Sequence, residues 1–547
     1  MRSLSVLLLL LVFPSLSVSQ EDHHHAVTEE EVGSVHFATS CGADLASNFN
    51  RAVALLHSFQ YEQARQGFTE ISDKNPQCAM AQWGVAMSHY HGMWDNGDTA
   101  AGRLALQKAQ QTAANNPQTT PREAAYIGAL AEIYREDGRD VSAHGPAFEQ
   151  KMAALQAAYP QDDEAAIFHA LSLAITAPKT DKTFANQRKC GEILEPLFAR
   201  QPHHPGIAHY IIHCYDNPVL AEQGLGAARV YAKIAPASAH ANHMPSHLFT
   251  RVGSWDESIN SNIRSAELAA AAEADSTNGE ARDQRLHAMD YLEYAYLQSG
   301  RVSKAKTVFE EMHSLSPVSG LTLTGDYALA AIPARCTLEL GTWEQASQLR
   351  VREEGVPWAQ AITWVAIGVG SARAKHLERA GQAEKELAAL RHAIAKQGNS
   401  YWSNQVEVQR REVAAWIAEQ RGNPSEALRL ARSAAELEEN MDKSAVTPGA
   451  VTPAREMLAE LLLMEHHPKE SLLEYQNVLR IAPNRFNALY GAASAAESAG
   501  DASTASSYFR RLIEVASGDE RTELKVARQR LLADKDGGER NVEPATH

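Results

Sequence analysis

Seven of the 23 histidines in this 547-residue chain fall between His203 and His247. Neutral imidazole is a ligand for zinc, copper, iron and nickel, so such a local excess raises the question of metal-binding spacing. His209 and His213 are four apart, and so are His243 and His247, with His240 three residues before His243. Residues three or four apart share one helix face, and the i, i+4 pair has the spacing of helical zinc sites. Three or four of these groups suffice for one ion, and the best set is His209, His213, His243 and His247. Asp216, Asp290, His240 and His287 stand next, as groups that orient the ligands or as ligands of a second ion. Two histidines and a carboxylate with open positions would suit non-haem iron, while copper and zinc suit the imidazoles equally. Three plainer readings compete. The histidines could bind one another, backbone carbonyls or water in a polar groove; they could contact a peptide or anionic ligand; or some could be core residues, with His203 and His204 as turn residues before Pro205.

The elements that must position these groups are helical hairpins. Tyr61, Ala64, Phe68 and Pro76 fit the second half of a tetratricopeptide unit, and Val302, Ala305, Phe309 and Pro317 repeat that spacing. Gly500-Asp501 is followed by Ala505 and Phe509 in the same register. Gly253-Ser254-Trp255 and Gly341-Thr342-Trp343 read as one kind of inter-helix turn, and residues 422–424 and 466–468 as further turns. Each hairpin has an apolar face that it cannot bury alone, so neighbours stack and share a core. The expected fold is all-α, a tetratricopeptide-like helical-hairpin solenoid forming a right-handed superhelix. Repeat spacing is weak from about 94 to 200, and residues 316–325 and 442–453 read as loops.

Phasing the repeats turns the histidine excess into geometry. With Gly253 as the turn after one helix, that helix begins near Ala239 and carries His240, His243 and His247 at positions 2, 5 and 9. One tetratricopeptide period earlier, about 34 residues, a helix begins near Pro205 with His209, His213 and Asp216 at positions 5, 9 and 12. A third, phased from Gly300, begins near Leu286 with His287 and Asp290 at positions 2 and 5. All three would present one face to the concave groove, and neighbouring helices are about 8–10 Å apart. Pro245 lacks a backbone N–H and is expected to bend or start its helix. His91, in Ser88-His89-Tyr90-His91 with Trp94 and Asp95, falls groove-side at the end of another such helix. His23-His24-His25 could bind metal as a mobile segment.

Composition bounds the rest. Hydrophobic residues make up 44%, aromatics 7%, and the net charge is −16, a field that repels nucleic acid. Arg2, the apolar run Val6–Phe13 and the small residues at 17–19 read as a secretory signal cleaved before Gln20, placing the protein in a periplasmic or extracellular compartment. No later segment has membrane-spanning length without charges, so no membrane insertion is expected after cleavage. Export permits disulfides among Cys41, Cys78, Cys190, Cys214 and Cys336. Cys41 and Cys78 flank the first hairpin and are the pair expected to bond, with burial as small core residues the alternative. The chain divides into a signal peptide (1–19), an N-terminal extension (20–43), a helical-repeat region with the histidine-lined groove (44–315), C-terminal repeats (316–534) and a disordered tail (535–547).

Several stretches resemble a group of exported bacterial tetratricopeptide-repeat proteins. They are His36-Phe37-Ala38-Thr39-Ser40-Cys41, Ala54-Leu55-Leu56-His57-Ser58-Phe59, Cys78-Ala79-Met80-Ala81-Gln82-Trp83-Gly84, His204-Pro205-Gly206-Ile207-Ala208-His209-Tyr210, and His243-Met244-Pro245-Ser246-His247 with Arg251-Val252-Gly253. The likeness covers roughly residues 34–310 well, and the remainder only as generic repeats. It implies a helical-repeat fold and export, with no catalytic assignment; the generic repeat implies a groove for a protein or peptide segment.

Three functions follow as expectations. The chain could bind a divalent transition metal such as Cu, Zn or Fe through its His/Asp cluster. It could be a metal-dependent hydrolase or oxidase/oxygenase with the ion on the groove floor. Or it could be a scaffold whose groove holds a partner without metal. A saturated four-ligand site would argue against chemistry, and three ligands with an open position would favour it. The sequence has no G-x-S-x-G, CxxC or H-E-x-x-H motif and no phosphate-cradling glycine loop.

Overall fold

The computed structural model describes residues 29–93, 97–273, 279–316, 321–518 and 520–539. The signal segment, His23-His24-His25, Trp94, Asp95 and residues 540–547 lie outside the described residues. All regular structure among the described residues is helical, and no described helix is long and apolar enough to cross a membrane.

The hairpins share one turn chemistry. Phe59, Gly253, Gly300, Gly341, Lys375, Gly422, His466 and Gly500 have positive φ, and each stands two residues before a helix: Tyr61–Lys74, Trp255–Ala272, Val302–Ser314, Trp343–Ser347, Leu377–Lys396, Pro424–Glu439, Pro468–Ile481 and Ala502–Val515. In each case the next residue's N–H reaches back to a carbonyl of the preceding helix, as Ser254 N donates to Phe249 O (2.8 Å) and Asp501 N to Ala496 O (2.9 Å). This is the Schellman closure, which satisfies the last carbonyls of the first helix and reverses the chain. The small residues expected at the hairpin contacts are buried, Ala64, Ala305 and Ala505 among them.

The phased helices begin where expected at Pro205 and Ala239. The third begins at Glu280, six residues before the expected Leu286, and runs to Gln298. The helix from Ala239 is interrupted at Met244 and resumes at Pro245, but Met244 keeps right-handed helical dihedrals. The irregular region holds five helices, Thr99–Asn115, Pro121–Ile133, Gly145–Ala158, Asp163–Thr176 and Ala185–Arg200. The second of these starts with Pro121 behind a Thr120/Glu123 capping box. The final helix continues to Glu539, into the stretch expected to be tail.

Apolar packing runs along the chain as successive clusters. The third spans Trp255 to Ile332, so packing is continuous across residue 316. The superhelix also returns on itself. Trp255 Nε1 donates to Asn484 O (3.0 Å), and Asn484 Nδ2 donates to Gly253 O (3.0 Å). Phe486 N donates to Gln298 Oε1 (2.9 Å), and Ser517 N to Ser299 O (2.9 Å). The expected loop at 442–453 lies against the N-terminal half, where Asp442 N donates to Lys179 O (3.2 Å) and Tyr291 Oη to Thr447 O (3.0 Å). Late repeats thereby close over early ones, with the histidines between them.

Candidate metal centre

The histidines form two adjacent groups of three. His209 and His213, from the helix Pro205–Tyr215, meet His240; His243 and His247 meet His287 from the helix Glu280–Gln298. Within each group the ligand atoms lie within 4.8 Å of one another. The groups abut, with ring centroids of His213 and His247 6.3 Å apart and those of His240 and His243 6.4 Å apart. All are buried except His287, which is partly exposed. The four residues expected to share one ion are therefore divided between two sets, and His240 and His287 complete those sets.

The proton positions follow from the partners. His243 Nδ1 lies 2.7 Å from Asn262 Oδ1. Asn262 Nδ2 donates to Ser258 O (2.8 Å), so Oδ1 is the acceptor and His243 donates from Nδ1. His247 Nδ1 lies 3.0 Å from the Asp216 carboxylate, which can only accept. With both Nδ1 protons so placed, the neutral rings turn lone pairs toward each other, and the two Nε2 atoms stand 3.0 Å apart. No hydrogen bond can join two acceptors. In the other group, His209 Nδ1–H donates to the carbonyl of His57 (2.6 Å), leaving Nε2 as a lone pair. The Nε2 atoms of His213 and His240 both stand 3.0 Å from it. A tetrahedral ion with about 2.0–2.1 Å metal–nitrogen bonds sets its ligand nitrogens about 3.3–3.4 Å apart, close to this spacing.

Burial keeps these imidazoles neutral. It pushes His209 down to about 3, against the opposing bond to His57. Burial, then the neighbouring histidines, holds His213, His240 and His287 well below the ordinary value. Burial also lowers His243 and His247, against the upward pull of Asn262 and Asp216 respectively. Neutral imidazole is the ligand form.

Asp216 stands behind the His247 ring, bonded at Nδ1 rather than in the nitrogen cluster. Burial would raise its carboxyl, but Lys443 (3.1 Å) and Arg251 (2.8 Å) hold it well below the usual range. Lys443 itself is pushed down to about 8, by burial first. Asp290 lies elsewhere. Arg335, fully buried on the helix Leu323–Glu339, takes its carboxylate; from His287 it is Tyr291, one residue further on, that reaches the site (ring centroids 4.8 Å from both His243 and His247). Neither Asp216 nor Asp290 is thereby grouped with two of the expected histidines as a carboxylate ligand. His91 stacks on Tyr61 at 4.0 Å.

A third group, His57, Glu164 and His204, has the composition of a metal site but is closed by hydrogen bonds. Tyr210 Oη donates to His57 Nδ1 (2.8 Å), and Ile207 N to His204 Nδ1 (3.3 Å). Both Nε2–H groups then donate to Glu164, each at 2.9 Å. Burial opposes the Glu164 charge, but His204 and His57 hold its carboxyl well below the usual range. His204, expected as a turn residue, is the helix N-cap. This clamp fixes the His57 carbonyl on which His209 rests. Gly206 permits it, since a Cβ there would stand 2.6 Å from His57 Nδ1. Sequence spacing could not find His57, Glu164 or Asn262, which arrive from other helices.

Cys41 is bonded to Cys78, and Cys190 to Cys214, a pairing the sequence did not suggest; Cys336 is buried and unbonded. The second bond ties the helix Ala185–Arg200 to the helix that carries His209 and His213.

The hairpin repeat makes the fold tetratricopeptide-like. No protein-family model matches the chain, and no curated protein matches it. Among solved structures it is similar to yeast Tom70 (12% identity, 89% of each chain covered, TM-score 0.29). It is similar to the human IFIT1 dimer with m7Gppp-AAAA (11% identity, 80% of this chain and 90% of that one, TM-score 0.33). It is also similar to the TPR domain of P58(IPK) (13% identity, 69% of this chain and 99% of that one, TM-score 0.22). The likeness is one of helical-repeat fold alone.

Proposed function

We propose that this chain is a metal-binding tetratricopeptide-like scaffold that holds two transition-metal ions side by side, one on His209, His213 and His240 and one on His243, His247 and His287. The observation that carries this reading is the 3.0 Å approach of His243 Nε2 to His247 Nε2 when both Nδ1 protons are committed to acceptors. An ion between the lone pairs removes that conflict. Imidazole-only donor sets suit copper and zinc. The test is elemental analysis of the untagged full chain, with His23-His24-His25 replaced by alanine in every sample. Two ions per chain are expected, one in His209→Ala/His213→Ala, one in His243→Ala/His247→Ala, and two in Glu164→Gln. Metal-free wild type, or equal content in all four proteins, would sink the assignment.

A second reading, a metal-dependent enzyme, is favoured by the ligand count. Three histidines per ion leave a position open on each, the arrangement of catalytic rather than structural sites. A cavity of about 40 Å³ lined by His213, Asp216 and Lys443 adjoins the first group. Turnover of hydrolysable or oxidisable test compounds, lost in both double variants, would separate this reading from storage or delivery.

We also propose export. Support comes from the signal-like N-terminus and from two disulfides among five cysteines, a bonding state kept in oxidising compartments. N-terminal sequencing of the mature protein should begin at Gln20; an intact Met1 would refute cleavage.

A further inference from the structure

A cavity of about 510 Å³ lies beside the histidine groups, between the helices Leu323–Glu339, Pro357–Arg373 and Ser400–Gln420 and the segment 440–453. That volume falls within the range of small-molecule sites. Its aromatic wall includes Trp402, backed by Trp358 (centroids 4.6 Å apart, rings 19° from parallel), with Tyr327 and Tyr401 alongside.

One end of the cavity carries acceptors without donors. Gln409 and Glu412 stand one turn apart on the helix Ser400–Gln420 and both line the cavity. Their Oε1 atoms are buried and have no hydrogen-bond partner among the described residues. Glu412 is 3% exposed, and no ion pair is found for it among the described residues. Burial, then the neighbouring Glu438, pushes its carboxyl well above the usual range. Of the cations that also line the cavity, Lys182 donates to Met441 O (3.0 Å) and the others are paired with carboxylates. Arg251 and Lys443 bind Asp216, and Arg455 binds Glu439 and Glu474.

A buried acceptor with no donor costs about 1–3 kcal/mol, and more for a charge. Such groups persist at binding sites, where a ligand supplies the missing hydrogens. The Gln409 oxygen calls for a ligand that donates, a cation beside Glu412 restores the carboxylate charge that burial suppresses, and the aromatic faces also favour a positive ligand. We propose that this cavity binds a small organic ammonium ion, its N–H groups on Gln409 and Glu412 and its aromatic or branched apolar body against Trp402 and Tyr327. The inference stands on the cavity's own residues and does not require the metal reading.

The test uses the full chain, both as purified and after treatment with a chelator. It is titrated with 2-phenylethylammonium, 2-phenylethanol and 3-phenylpropionate, followed by calorimetry. The ammonium should bind roughly tenfold or more tightly than the alcohol, and the carboxylate should not saturate. Chelation should leave that preference unchanged even if it strips the histidine groups. Glu412→Gln should abolish the preference while melting no lower than wild type, since it removes an unpaired buried acid. Gln409→Leu should weaken the ammonium alone, and Trp402→Leu should weaken every phenyl compound. Failure of the ammonium to saturate, equal or tighter binding of the alcohol or carboxylate, or an undiminished preference in Glu412→Gln overturns the proposal.

Discussion

Two clusters of the same residue types behave oppositely because of where single protons sit. Around Glu164 every ring nitrogen of His57 and His204 has a complementary partner, so the group is complete as protein alone. Around His243 and His247 the outer nitrogens are the ones satisfied, and the inner ones oppose each other. This difference bears on acid stability. The six histidines of the two groups have folded-state values below the ordinary 6.5, His209 at about 3. As pH falls below 6.5 the unfolded chain takes up protons that the folded chain refuses. Stability present above that pH is therefore lost on the way down to each folded value, at about 1.4 kcal/mol per pH unit for each such histidine. Urea unfolding of metal-free protein should show a midpoint that is flat above pH 7 and falls steeply from 6.5 to 5. The His209→Ala/His213→Ala chain should fall less steeply, and equal slopes would contradict the burial argument. The excess of histidine and the pairs at i, i+4 were legible in the sequence because one helix displays them. Of the partners that fix the tautomers, Asp216 was expected among the groups that orient the ligands, because it follows His209 and His213 at the end of their own helix; Asn262 and His57 were not, since they come from other helices. Asp290 misled because i+3 and i+4 neighbours of His287 point to different sides in this packing, Tyr291 to the site and Asp290 to Arg335.

At the level of the hairpin, the left-handed residue of the Schellman turn sets where each second helix begins. Glycine occupies it at Gly253, Gly300, Gly341, Gly422 and Gly500, and those turns were readable in the sequence. At Lys375 (φ 67°) and His466 (φ 61°) a side chain sits in the same conformation, which removes the glycine signature, although the turn at 466–468 was still read from its His-His-Pro sequence. L-residues enter this region at a cost of roughly 1–2 kcal/mol, offset in part by the extra chain entropy glycine carries when unfolded. Lys375→Gly and His466→Gly are both exposed enough to tolerate the change, and each should raise the unfolding free energy by about 0.5–1 kcal/mol. Denaturant titration would show it as a shifted midpoint at constant slope; a lowered midpoint would mean that the side chains contribute more than the turn costs. The late start assigned to the third histidine helix has a related origin. Phasing from Gly300 assumes a standard helix length, whereas this one has 19 residues and starts a turn and a half earlier.

At the level of the whole molecule, the repeats close on themselves, which composition and local spacing could not show because the contacts join residues more than 200 apart in sequence. Gly253 belongs both to a hairpin turn and to this seam. Its φ is +68°, and a Cβ there would stand 2.2 Å from Pro483 O. Gly253→Ala should therefore cost more than an ordinary left-handed glycine, about 2 kcal/mol or above, and hydrogen exchange should show the excess as faster exchange at residues 483–487. Exchange confined to 250–256 would place the cost in the turn alone.

Closure has a temporal side. The six histidines lie between residues 209 and 287, whereas the segment 442–447, whose Lys443 binds Asp216 and whose carbonyls accept from Tyr291 beside them, is made later. On a growing or translocating chain there is an interval in which the imidazoles are assembled and that segment is absent. On the metal-binding reading proposed above, an ion would be captured in that interval, before the later repeats dock, and availability during biogenesis would then weigh on which ion the site takes.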